Sequence, residues 1–383
     1  MSRTGNLARM MRVGWCLGLL IAGTGSAGAQ NIVTRLYNRF LNDTTASNQP
    51  HLALYPTLAY APETSLELGV SALYLYHANN DTVNNRLSEL QAFGFFTLLG
   101  QYGLNLDNTV FGDHDRWYFL GRARFQRFPL LYYGIGPDAH TDNPATVDAF
   151  SIQARQRVMR RIRPNLFGGL AVDLQHLSRV EFQQPEGTPL DLPRGSTGST
   201  NLGLGVGLIY DSRPNVLNAR QGAFAELTYL NYHPTRGSTY TFSNIVADVR
   251  LYKTVRTNQV LAWQAYGVLA GGDAPFNQLA LLGGETIMRG YYMGRYRDKV
   301  HAATQLEYRW LPFWFSKRVG AAVFAAVGTV APSVRELSFS NLLPAGGAGV
   351  RYLLFKKKDV FLRFDVGFTR EGPGFYILTG ESF

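Results

Sequence analysis

Apolar and polar residues alternate along this chain with a period of two, in segment after segment of ten residues or more. Over 117–127, Trp117, Phe119, Gly121, Ala123 and Phe125 share one face, and Tyr118, Leu120, Arg122, Arg124 and Gln126 share the other. Phe150, Ile152, Ala154 and Val158 oppose Ser151, Gln153, Arg155 and Arg157 in the same way. Ile245, Ala247, Val249 and Leu251 oppose Asp248 and Arg250, and Thr304, Leu306, Tyr308 and Trp310 oppose Gln305, Glu307 and Arg309. Such a pattern predicts strands with one apolar and one wet face. A soluble sandwich alternates too, but its strands are shorter. Long strands with aromatics towards their ends point instead to a transmembrane barrel, whose apolar face meets lipid and whose polar face meets the lumen. Composition agrees. Aromatic residues make up 13 % of the 383, glycine supplies 40, and charged residues only 17 %, below the roughly 25 % usual in soluble domains.

Sixteen such segments can be counted, an even number, as bacterial single-chain barrels have. They lie at 51–60, 65–77, 87–98, 101–111, 115–127, 147–160, 164–180, 200–211, 222–232, 240–254, 259–271, 299–311, 317–329, 344–355, 359–369 and 374–383. The expected fold is an all-β, antiparallel transmembrane β-barrel over 51–383, with no break that marks a second domain there. With both ends periplasmic, the long connections 129–145, 183–199 and 272–298 all fall outside, and tight ones such as 161–164 and 356–359 fall inside. The uncharged stretch 319–332 is too short for a spanning helix and reads as a buried strand.

Basic residues number 37 against 27 acids, and 31 of the 37 are arginine. A net charge of +10 raises nucleic acid as a partner. The arginines, however, are spread along the chain at alternate positions inside apolar segments, which suits a barrel lumen better, and no nucleic-acid partner is expected.

The first 29 residues read as a secretory signal peptide: Arg3, Arg9 and Arg12, an apolar stretch over 13–22, then Ala27-Gly28-Ala29. Cleavage is expected between Ala29 and Gln30. The only cysteine, Cys16, falls inside this leader, so no disulfide or cysteine-based site is expected after export. Over 30–50, Ile32, Val33, Leu36, Tyr37, Phe40 and Leu41 recur at helical spacing, open to a short amphipathic helix or a disordered lead-in.

Four motifs carry a family resemblance. Leu282-Gly283-Gly284-Glu285-Thr286-Ile287-Met288-Arg289-Gly290-Tyr291 precedes a strand carrying Leu306-Glu307-Tyr308-Arg309. Asp211-Ser212-Arg213-Pro214-Asn215 is followed by Gly222. Tyr133-Gly134-Ile135-Gly136 stands in the third outer connection, and the chain ends in Phe383. In these the chain resembles the Omp85 superfamily, the bacterial surface antigen barrels of BamA and TamA type. The resemblance implies an outer-membrane barrel whose sixth extracellular loop folds into the lumen. Its tip would be Arg289, Gly290 and Tyr291, its partner on the wall Glu307. Asp211, Arg213, Asn215 and Gly222 would form the periplasmic turn between strands eight and nine, with Ala219 where the family often has proline. Phe375, Ile377 and Phe383, in phase, would be the C-terminal β-signal, with Thr379 and Glu381 polar where apolar residues are usual. The family's second acid, in Phe-x-Asp, is replaced in Phe324-Ala325-Ala326, so Asp248 or Asp365 would have to substitute for Ala326. Alternation independently places Glu307 on the lumenal face.

Family members that insert or export proteins carry periplasmic POTRA domains, and residues 30–50 are too few for one. The expectation is therefore a barrel-only branch. The leading function is assistance in the assembly, insertion or translocation of outer-membrane or exported components, with client proteins or a separate periplasmic docking protein as partners besides outer-membrane lipid. The alternative is a passive channel or structural barrel plugged by its loop. An enzyme is the weakest class. The seven histidines are scattered, no cofactor or metal set is evident, and the nearest pair, His176 and Asp173, reads as wall residues. Gly203, Gly205 and Gly207 share one strand face and precede no helix, so they do not form a nucleotide loop.

Overall fold

The computed structural model describes residues 50–139, 143–184, 191–356 and 359–383. The leader expected over 1–29, and all of the 30–50 segment but Pro50, lie outside the described residues. The first eight barrel strands are β1 (His51–Ala61), β2 (Ser65–His77), β3 (Leu87–Thr97), β4 (Tyr102–Phe111), β5 (Trp117–Arg127), β6 (Ala145–Arg163), β7 (Leu166–Gln183) and β8 (Ser199–Asp211). The second eight are β9 (Gly222–Tyr232), β10 (Phe242–Arg256), β11 (Gln259–Gly272), β12 (Val300–Trp310), β13 (Val319–Ala331), β14 (Leu343–Phe355), β15 (Val360–Thr369) and β16 (Gly372–Thr379). Each pairs antiparallel with its neighbour, and β16 meets β1 to close the barrel. Among the described residues no helix is long and apolar enough to cross a membrane; the crossing is made by strands.

Cross-strand register converts the period of two into an inside and an outside. Gln264 stands opposite Gln305, Glu226 opposite Asp248, and Arg122 opposite Arg155, all facing the lumen. The alternate positions expose Leu54, Leu58, Val70, Val206, Leu227 and Phe368 outwards. A band this apolar would drive aggregation in water and is solvated by hydrocarbon in a bilayer.

Strand parity follows the sequence pattern, and strand ends depart from it by more than two residues in two places. β6 and β7 outrun the expected 147–160 and 164–180, because backbone pairing continues through Arg160, Arg161 and Arg163, where the apolar pattern has stopped. The turn is made at Asn165, in the left-handed region with φ 63°. β16 stops at Thr379, short of the expected 383. Gly380 turns the chain with φ 88°, and the polar residues that follow go inwards.

The connection between β11 and β12, residues 273–299, carries a small ribbon of Ala280–Leu282 against Tyr296–Asp298. Its Leu282, Met288, Tyr291 and Tyr296 are fully buried and pack with Val330, Leu343 and Ala345 of β13 and β14. The long loop thus supplies the lumen with a hydrophobic core. A second core, of Phe111, Tyr118, Met159, Phe167, Ile209 and Phe224, fills the periplasmic end.

Candidate functional site

The tip of the long loop enters a charged cluster on the barrel wall. Arg289 is fully buried, and its Nη2 pairs with Glu307 of β12 while Nη1 donates to Asp365 of β15 at 2.6 Å. Asp365 stands where a second acid was required, whereas Asp248 pairs with Arg250 (2.6 Å) and Gln264 (2.9 Å) and takes no part. The guanidinium carbon of Arg289 lies 3.5 Å from the centroid of the Phe324 ring. The Phe324-Ala325-Ala326 segment therefore offers a ring to the arginine, and Ala326 packs against the loop's apolar core.

The loop turns at Gly290, whose φ of 111° suits only glycine. Its N–H donates to the Tyr376 hydroxyl at 2.8 Å, and Tyr291 donates to the Pro344 carbonyl at 3.2 Å. Room for the tip comes from missing side chains. A Cβ on Gly367 would lie 2.5 Å from the Arg289 carbonyl oxygen, and one on Gly349 would lie 1.9 Å from Asp365 Oδ1.

Three further arginines complete the cluster. Arg309 donates to Glu307 at 2.7 Å, Arg351 bonds Asp365 and Glu381 (2.9 Å to the latter), and Arg363 donates to Asp365 at 2.9 Å. Glu381, polar where the β-signal usually has an apolar residue, is drawn inwards to these arginines. Ser382 donates to Glu307 at 3.3 Å, and Arg309 donates to the Phe383 backbone oxygen at 3.0 Å. Four guanidinium groups and three carboxylates thus join the loop tip, β12, β14, β15 and the segment after β16. Each of the seven has at least one partner of opposite sign, which the low-dielectric surroundings require. Alternation put Arg309 on the same lumenal face as Glu307, but no sequence signal told which lumenal rows would meet.

Phe383 departs from the expected phase with Phe375 and Ile377. Phe375 is exposed on the outer face, whereas Phe383 is buried with Ala219, Tyr252 and Ala262. The turn at Gly380 and the pull of Arg309 and Arg351 on Glu381 account for the inversion.

At the periplasmic end, Asp211 accepts both Nε and Nη2 of Arg213 at 3.0 and 2.9 Å, and the Tyr118 hydroxyl at 3.3 Å. Asn215 accepts the Leu217 N–H at 2.9 Å. Gly222 has φ 96°, and a Cβ there would lie 2.7 Å from the Ser212 carbonyl oxygen. The four turn residues therefore make one folded unit. Ala219 is buried against Tyr252 and Phe383, and the neighbouring Arg220 clamps Asp359 in a bidentate pair at 2.6 and 2.7 Å.

Near the extracellular end, the β1–β2 turn touches the long loop: Met293 N–H donates to Glu63 at 2.6 Å. Burial pushes the Glu63 carboxyl up to about 7, outweighing that hydrogen bond and helped by the nearby Glu285 charge. Arg295 and Tyr296 of the loop both bond Glu371, each at 2.7 Å. Tyr133 stacks edge-on against Tyr292, and Gly136 N–H donates to the Arg297 carbonyl at 2.9 Å. His176 and Asp173 point to opposite faces of β7; His176 bonds Thr200 at 2.7 Å. Among the described residues no group of three metal-ligating side chains is present.

The closing seam is sparse. β1 and β16 share one register pair, Tyr60 opposite Ile377, whereas β1 pairs with β2 along its whole length.

The Omp85 superfamily domain model matches residues 101–353, more than half of the chain. A comparison with curated proteins found no match. Among solved structures, BamA from Haemophilus ducreyi lacking POTRA domains 1–3 aligns with a TM-score of 0.55 and 12 % identity, over 92 % of this chain and 78 % of that one. CdiB from Escherichia coli aligns with 0.55 and 11 %, over 90 % and 69 %. CdiB from Acinetobacter baumannii aligns with 0.52 and 11 %, over 86 % and 59 %. Identities this low speak for the fold, and the matched domain speaks for the lineage: this chain belongs to the Omp85 superfamily of outer-membrane β-barrels.

Proposed function

We propose that this barrel assists the assembly, insertion or translocation of outer-membrane or exported components, and that its working part is the join between β1 and β16. The observation that carries this reading is the single register pair at that join. Strands that share so few ladder bonds leave backbone donors and acceptors free on both edges, and an incoming strand can take them by β-augmentation. The charged cluster supports the same reading. It anchors the segment after β16 to the loop and to β12 and β14, so that end of the wall keeps its position with little help from β1.

A cross-link across the join tests it. Tyr60 and Ile377 face each other on the outer side, so Tyr60→Cys with Ile377→Cys should form a disulfide on oxidation. The locked barrel should lose at least most of its ability to insert a client barrel into liposomes, and reductant should restore it. Full activity in the locked state would sink the proposal. Recovery of a periplasmic protein with the barrel in a membrane pull-down would identify the docking partner that this reading includes.

A second reading, a passive channel, is favoured by a cavity of about 660 Å³ between the loop and the wall of β1 to β6. Steady ion conductance that no client alters would support it.

A further inference from the structure

The row of lumenal side chains Asp107, Arg122, Arg155 and Asp173 runs directly across β4, β5, β6 and β7. It places two arginines opposite each other. Directly opposed like charges on a sheet are unfavourable unless something sits between them. The two carboxylates that flank the pair are already engaged. Asp107 accepts Arg124 Nη2 at 2.9 Å, and Asp173 accepts Arg155 Nη2 at 3.1 Å together with the Tyr232 hydroxyl. Among the described residues Arg122 has no hydrogen-bond or ion-pair partner, and its side chain is exposed into the 660 Å³ cavity. The Nε–H groups of Arg155 and of Arg157, the next lumenal residue on β6, are buried without an acceptor.

We propose that Arg122 and its cross-strand neighbours form a binding site for a small oxyanion of phosphate class inside the lumen. This goes beyond an assembly role and does not depend on it. A guanidinium presents parallel N–H donors that match two oxygens of a phosphate or carboxylate. The amide side chains of Gln91 and Gln153 line the same cavity and add neutral donors. Glu63, Glu67 and Glu285 also line it, and none pairs with Arg122. Arg124 and Arg297 line it too, but Arg124 is paired with Asp107, which leaves Arg122 as the cation on the β5–β6 wall free to attract an anion. The site faces the lumen, so its ligand is a soluble anion and not a lipid headgroup, which meets the outer face.

The test uses the folded full-length barrel in detergent. Inorganic phosphate is exchanged for chloride at constant ionic strength, and the midpoint of thermal unfolding is followed. The wild type should gain stability in a saturable way. Arg122→Gln should lose the gain, while Arg335→Gln, the same charge change on an exposed outer connection, should keep it. Asp107→Asn should lower the half-saturating phosphate concentration. Arg124→Gln should raise it about tenfold, because Asp107 is then released to pair with Arg122. If Arg122→Gln fails to fold, this opposed pair of shifts decides the matter. An equal phosphate response in wild type and Arg122→Gln, or no response in the wild type, overturns the proposal. So does a response to phosphatidylglycerol in the micelle with none to free phosphate.

Discussion

Arg289 is held by a ring below and a carboxylate on either side; without it Glu307 keeps Arg309 and Asp365 keeps Arg351 and Arg363, so what is lost is the loop's hold on the wall. Truncating one partner of a buried pair costs about 3–5 kcal/mol, and a wet lumen lowers this. Arg289→Ala should therefore free the loop, raising its protease sensitivity and the conductance of the barrel. Glu307→Ala should be at least as severe, because it also strips Arg309 and Ser382 of a partner. The double variant should be no worse than Glu307→Ala alone; independent addition of the two effects would show that they are not coupled. Glu63 behaves differently. Its carboxyl is raised from an ordinary 4.5 to about 7, so its contribution is full below pH 4.5 and is lost as pH rises through 7. The loop should become more protease-sensitive as pH rises from about 4.5 to about 7 and level off above that, and Glu63→Gln should flatten that dependence. Arg289 and Glu307 were legible from sequence because a tip motif and strand parity converged on them. Glu63 was not, since its burial comes from a loop 230 residues away.

At the scale of strands and loops, parity was legible within the strands and was lost at Phe383 beyond the turn at Gly380; strand ends were not legible. Alternation reports which face a residue takes, and that survives as far as the apolar pattern does. It misses a hairpin that continues with arginines, as β6 and β7 do, and a strand cut short by a distant salt bridge, as β16 is. On β15, Gly367 matters for the side chain it lacks: it leaves space for the loop tip. Gly367→Val should push the loop tip off β15 while touching no charge, and it should match Arg289→Ala in protease sensitivity. A tip that stays protected would show that the wall yields. Phe383, tucked under Tyr252 and 4.9 Å from the Arg309 guanidinium carbon, joins the end of the chain to β10. Phe383→Ala should cost about 3 kcal/mol and lower the yield of heat-modifiable barrel. An unchanged yield would reduce Phe383 to a surface cover.

For the whole molecule, an even strand number, long connections outside and short ones inside were all readable, because a closed antiparallel barrel leaves little freedom once its strands are counted. How tightly the ring closes was not readable, since one register pair or eleven leave the same alternation. The distribution of contacts along the chain also carries an order of events. The whole charged cluster lies between residues 285 and 383. The join of β1 to β16 spans Tyr60 to Ile377. Closing a loop costs more entropy the longer it is, and contacts near in sequence form sooner than distant ones. The last strands can therefore organise around their own plug before the first strand arrives. The N-terminal hairpin then comes in last, bringing Glu63 to Met293 as the ring shuts on its least-paired join.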